Sequence, residues 1–181
     1  AGAVAEQVLD ASEYDVAIKA HVNQIGDVEA DEVSFEQLLE HSEENDVRCA
    51  DPDAAAEMQE LIERYQEEGD SIGGSIYFEC RGAPRGLGAP RFDGFPSRLG
   101  QAMFSIPATT GVEFGLGKEA VNVTGSERNE DWTFDDGESF DHVESEPGDP
   151  VPVGNDHGGL QGGITTGEPI YGEATWHAPT S

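Results

Sequence analysis

The stretch "DPDAAAEMQELIERYQEEGDSIGGSIYFECRG", Asp51 to Gly82, changes its period part-way along. In its first part Met58, Leu61, Ile62 and Tyr65 recur at helical spacing and define one buried face. Asp51 before Pro52 supplies an N-cap and a first helical residue whose missing N–H would have no partner anyway, and Gly69 supplies the stop. After Gly69 the period shortens to two, with Ile76, Phe78 and Cys80 on one face of a strand. A capped helix feeding a strand is the unit from which the rest of the chain is read.

Toward the N-terminus, "YDVAIKAHVNQIGDVEA" alternates as a half-buried strand. Val16, Ile18, Ala20 and Val22 are expected to face the core, and Asp15, Ala17, Lys19 and His21 the solvent. Ser34 opens a short helix carrying Phe35, Leu38 and Leu39, and "GAVAEQVL" is a helix end with Val4, Val8 and Leu9 on one stripe. Toward the C-terminus, "APRGLGAPRFDGFP" is a loop and "SRLGQAMFSI" a short helix, while "GVEFGLG" and "AVNVTGSE" are expected as strands. Residues 128–153 are acidic and turn-rich, an expected mobile excursion, and "EPIYGEATWHAPTS" alternates as a last strand. Helices and strands interleave without regular βαβ spacing, which predicts an α+β sandwich.

The 181 residues carry 38 acids against nine bases, a net charge of −29, and only Lys19 and Lys118 are lysines. Such a surface repels nucleic acid and anionic membranes. The acids are spread through segments of clear apolar periodicity, unlike a disordered chain or an acidic tail. Scarce lysine with abundant Asp and Glu fits a protein of a salt-rich cytoplasm, where screening over about 3 Å at 1 M suppresses self-repulsion. No apolar run approaches the roughly 18 residues of a membrane span, and "AGAVAEQVLDASEYD" has neither a basic start nor a cleavage pattern. Cys49 and Cys80 form no metal or bridging pattern and are expected as free thiols.

The segment "GNDHGGLQGGITTGEP", Gly154 to Pro169, holds six glycines in sixteen residues and no lysine. Either tight turns or a close approach to the backbone would require them. His41 and His142 sit in acidic surroundings suited to solvation, while His157 and His177 border loops. No zinc, nucleophile-elbow, P-loop or dinucleotide motif is present, and the carboxylates are too numerous for any pair to be singled out as acid and base. No catalytic residue and no metal ligand emerges.

Taken together, "GDSIGGSIYFECRGAPRGLGAPRFDGFPSRLGQAMFSIPATTGVEFGLG", "GSE", "GNDHGGLQGGITTGEPI" and "HAPTS" resemble the chorismate synthase family in order and spacing over essentially the whole chain. The start, "AGAVAEQVL", resembles the helix after that family's Arg-Ser-Ser-Ala-Arg motif. The resemblance implies the central part, residues 1–181, of a β-α-β sandwich of antiparallel sheets packed on helices, about half of the family's usual length. It implies an enzyme that converts 5-enolpyruvylshikimate 3-phosphate to chorismate by an anti 1,4-elimination of phosphate, using reduced FMN without net redox change. It further implies a homotetramer in the cytoplasm. The chain alone is expected to be inactive, because the family's acid–base histidines and phosphate-binding arginines belong to segments it lacks. The competing expectation is a non-catalytic acidic binding or assembly module left by truncation.

Matched position by position, the family's Ser-Ile-Asn-Ala loop falls on Ser105-Ile106-Pro107-Ala108, implying flavin contacts at Pro107 and Ala108. Pro107 departs from Asn, so a side-chain amide is lost. Gly162 matches the glycine that lies against the cofactor, and the family's Lys-Pro-Thr-Ser-Ser run falls on His177, Ala178, Pro179, Thr180 and Ser181. His in place of Lys removes a permanent positive charge. The glycines, on this resemblance, let the backbone close against a flat ring.

Overall fold

A computed structural model describes residues 2–129, 131–135 and 148–179. The chain divides into two compact units. One comprises Ala1–Ile18, Cys80–Gly100 and Glu113–Gly172, the other Lys19–Glu79, Gln101–Val112 and Glu173–Ser181.

In the second unit the helix read from Asp51 forms over Pro52–Glu68 (α3). The Asp51 side chain accepts the N–H groups of Asp53 and Ala54, and Gly69 takes a left-handed φ of 70°. Gly69 N–H bonds to the Gln66 carbonyl and Asp70 N–H to that of Tyr65, the paired bonds of a Schellman stop. Ala54, Ala55, Met58 and Leu61 are its buried residues. Of these, Ala54, Ala55 and Met58 form a core with Cys49, packed by Val22, Ile25, Val28, Ala30 and Val47. The shorter helix Phe35–His41 (α2) opens with a reciprocal capping box between Ser34 and Gln37 and buries Phe35 and Leu38.

The larger sheet has the order β2-β1-β3-β9-β4, where β1 is Ala17–Ile25, β2 Val28–Glu29, β3 Gly74–Arg81, β4 Thr109–Phe114 and β9 Ile170–Trp176. β1 forms where expected, but its faces do not sort as read: Val22 packs on the core as expected, while His21 and Ile18 trade places. His21 is 3% exposed and Ile18 58% exposed. The reason is a polar one: His21 Nδ1 accepts the N–H of Ala50 at 3.2 Å, so the ring belongs inside.

In the first unit, α1 (Gly2–Asp10) has no buried residue. Ala83, Leu160 and Ile170 make a core joined by Cys80, Phe95, Leu99 and Phe114; Phe95 opens helix α4 (Phe95–Phe104). The segment "AVNVTGSE", expected as a strand, begins in a 3-10 helix spanning Gly117–Asn122. Beyond it Thr124 Oγ1 donates to Glu127 at 2.6 Å, a local side-chain bond that outcompetes a ladder. Two short antiparallel pairs complete this unit. Trp132–Phe134 (β5) pairs with Pro150–Pro152 (β6), and Leu160–Gln161 (β7) with Ile164–Thr165 (β8). Regular structure thus enters the acidic 128–153 segment from both ends, while residue 130 and residues 136–147, with His142, lie outside the described residues.

Candidate functional site

The chain leaves α4 through Ser105-Ile106-Pro107-Ala108 and enters β4 at Thr109. Thr109 N–H reaches back to the Ile106 carbonyl at 3.4 Å, closing a turn with Pro107 at its second place and Ala108 at its third. Ala108 has φ 68°. Pro at the second place and a positive φ at the third are the marks of a type II turn. Pro107 therefore has a job that its departure from Asn did not reveal: its ring pre-sets the turn. Thr109 Oγ1 adds bonds to the carbonyls of Met103, at 3.1 Å, and Ile106, at 3.0 Å.

Beside this turn lies the exit from β9. His177 N–H donates to the Ala108 carbonyl at 3.2 Å, so two of the sequence-matched positions, about seventy residues apart by the numbering, touch directly. His177 Nδ1 is 2.6 Å from the Ala178 carbonyl. A carbonyl only accepts, so Nδ1 holds a proton and, in the neutral ring, Nε2 is an acceptor. Pro107, Ala108, His177 and Pro179 are exposed, and Ala178 is half-buried. Thr180 and Ser181 lie outside the described residues.

These two segments form a ledge with an unusual composition. In a chain with 38 acids, residues 94–112 contain none, and neither do residues 174–181. The two segments present Pro107, Ala108, Ala178 and Pro179 and themselves contribute no carboxylate. Small apolar side chains and exposed backbone of this kind suit the face of a flat ring.

In the other unit, Gly162 and Gly163 are the two-residue connection between β7 and β8, with φ of 60° and 90°. Two positive φ values are what a type I′ hairpin demands. Most of the neighbouring glycines serve packing: a Cβ on Gly159 would stand 2.6 Å from the Pro169 carbonyl oxygen, and one on Gly158 would strike Gly115. Gly162 differs, since a Cβ there meets nothing within 4 Å. The expectation that the glycines as a group receive a ring is thereby corrected: tight turns and close backbone contacts account for most of them, and Gly162 alone of these three keeps an open face. Asn155, which sequence reading passed over, organises the loop. Its amide donates to the Pro169 carbonyl at 2.8 Å, and its own carbonyl receives the Tyr171 hydroxyl at 3.0 Å.

Among the described residues no group of three or more His, Cys, Asp or Glu is arranged to hold a metal. No described helix is long and apolar enough to cross a membrane.

Against known proteins, the family model described as chorismate synthase matches residues 1–181. The chain belongs to the chorismate synthase family. A chorismate synthase of Halorubrum lacusprofundi is 95% identical over the whole chain, which covers 46% of that relative. The corresponding figures for Halobacterium salinarum are 71% and 46%. A chorismate synthase of Methanosarcina mazei is 40% identical over 92% of this chain and 42% of its own length. Among solved structures, a crystal structure of chorismate synthase superposes with a TM-score of 0.82 at 30% identity, covering 98% of this chain and 53% of that one. The α+β fold and the family resemblance read from the motifs are therefore both established. The chain spans less than half the length of these curated relatives.

Proposed function

We propose that this chain is the central part of an enzyme that eliminates phosphate from 5-enolpyruvylshikimate 3-phosphate to form chorismate with reduced FMN. The observation that carries this reading is the match of the family along all 181 residues. The ledge supports a location: Pro107, Ala108, His177, Ala178 and Pro179 would lie along the flavin ring. Thr180, Ser181 and Gly162 are proposed as flavin contacts by their sequence match alone.

When bound, a reduced flavin supplies electron density that it lends as phosphate leaves and recovers as the proton departs. This chain's residues do simpler things. The type II turn and the strand exit hold backbone and small side chains in place, and His177 keeps its proton on Nδ1 against Ala178. The ledge itself has no cationic side chain to receive a phosphate, so binding groups for the phosphates of cofactor and substrate belong elsewhere in the family-length polypeptide. A cytoplasmic homotetramer is part of the same proposal.

Replacement tests it. Residues 1–181 would take the place of the corresponding stretch of the Halobacterium salinarum relative, and chorismate formation would be followed with reduced FMN in molar KCl. Activity within about tenfold of the parent is expected. A folded replacement protein that forms no chorismate would favour the non-catalytic module instead.

A further inference from the structure

Ser71 stands 108 residues from Pro179 in the chain, yet its hydroxyl donates to the Pro179 carbonyl at 2.7 Å. Two residues further on, Gly73 lies against the same run. A Cβ at Gly73 would stand 2.7 Å from the Trp176 carbonyl oxygen and 3.1 Å from the Ala178 nitrogen. Backbone on both sides leaves no flexible neighbour to give way, so only a bare α-carbon lets the end of β9 settle there.

The loop that offers this surface is itself fixed. Asp70 closes the Schellman stop of α3, and its carboxylate accepts the Ser71 N–H at 2.8 Å. The Gly73 carbonyl accepts the Gly26 N–H at 3.0 Å, and Ile72 fills the space over Gly26 that a Cβ would need. Helix stop, serine and glycine thus form one rigid seat. The run His177–Pro179 rests on it and is tied elsewhere by the bond from His177 N–H to the Ala108 carbonyl. Of these bonds, the hydroxyl of Ser71 holds the run where it passes beyond the last strand residue, a stretch that would otherwise fray.

We propose that Ser71 and Gly73 are positioning residues for the His177–Pro179 run and, on the reading that this run lies along the flavin, for the cofactor. They need not touch the ring. They fix the backbone that does, and preorganisation of that kind raises affinity by reducing the ordering needed on binding.

Two measurements test it separately. In the 181-residue chain in molar KCl, Ser71→Ala should speed exchange of the His177 amide, bonded to the Ala108 carbonyl, by roughly three- to tenfold, the loss of one hydrogen bond. Ser71→Thr, which keeps the hydroxyl, should restore protection, and the melting temperature should barely move. Unchanged exchange in Ser71→Ala would overturn the seat. In the family-length replacement protein, reduced-FMN affinity should fall by roughly three- to tenfold for Ser71→Ala. It should recover for Ser71→Thr, and Gly73→Ala should weaken it at least as much. His177→Ala serves as the reference. If it weakens flavin binding and Ser71→Ala does not, positioning by Ser71 is wrong while the site stands. If neither alters flavin binding, the flavin reading of the run fails and the cofactor role of the seat falls with it.

Discussion

His21 Nδ1 accepts the backbone N–H of Ala50 at 3.2 Å, with both residues buried. An acceptor at Nδ1 means that the ring is neutral and carries its proton on Nε2. Its surroundings are the Tyr77 ring, edge-on with centroids 6.0 Å apart, Tyr77 itself bonded to Glu79, and the Asp51 carboxylate. Burial lowers the His21 pKa below the usual 6.5, and the opposing pull of Asp51 is smaller.

A depressed histidine pKa makes the unfolded chain bind more protons than the folded one in the interval between the two values. The stabilisation is therefore complete above about pH 6.5 and is lost as pH falls through the folded pKa. Urea unfolding at pH 7.5 and pH 5.5 should show this loss. His21→Gln keeps an acceptor without titrating, so its stability should be flat over that interval. An equal slope in the variant would exclude His21 as the cause.

At the start of α3, Asp51 accepts N–H bonds from Asp31, Asp53 and Ala54. These bonds, that from Asp31 first, hold its carboxyl below the ordinary aspartate pKa. Their contribution is present above about pH 4 and is lost as pH falls through the lowered value. Asp51→Ala should cost about 1–2 kcal/mol at neutral pH, measured by urea unfolding. A cost below about 0.3 kcal/mol would show that water replaces the cap.

The charge of −29 predicts a fold that needs salt. With nine bases for 38 acids, most carboxylates have no cation to pair with, and repulsion at low ionic strength loosens the compact state. Circular dichroism should show the melting temperature rising between 0.1 and 3 M KCl. A flat response would contradict this.

Ala108 occupies a left-handed φ that glycine adopts without a Cβ clash. Ala108→Gly should change stability by less than about 1 kcal/mol, because relief of strain offsets the entropy of a freer unfolded chain. Ala108→Val should cost more than about 1 kcal/mol, since a β-branched residue is poorly accommodated there. Thermal unfolding of both variants in 3 M KCl checks the order, and a valine variant as stable as wild type would argue against the turn.

What was legible in the sequence was local. The α3 caps at Asp51 and Gly69 and the Ser34 cap stand as read, because each depends on residues within one helical turn. The burial of His21 on β1 was not legible, since the partner that draws it inward, Ala50, is twenty-nine residues away. The family motifs pointed to Ala108 and His177, but their direct contact, and the Ser71–Pro179 bond across 108 residues, exist only once the sheet has formed. Glycine density in Gly154–Pro169 was ambiguous for a similar reason. Whether a glycine faces a ligand or another stretch of backbone is decided by what packs on it, as Gly159 and Gly162 show in opposite ways.

On the proposed reading, the Ala108 turn and the His177–Pro179 run form a wall of a flavin site. The most direct measurement is amide chemical-shift mapping of the family-length replacement protein, titrated with reduced FMN in molar KCl. Resonances of Ala108, His177, Ala178 and Gly162 should move or broaden, while those of Ala50 and Met58, within the core around α3, should stay still. Saturable flavin binding that leaves the Ala108 and His177 amides unmoved would mean that the flavin lies elsewhere.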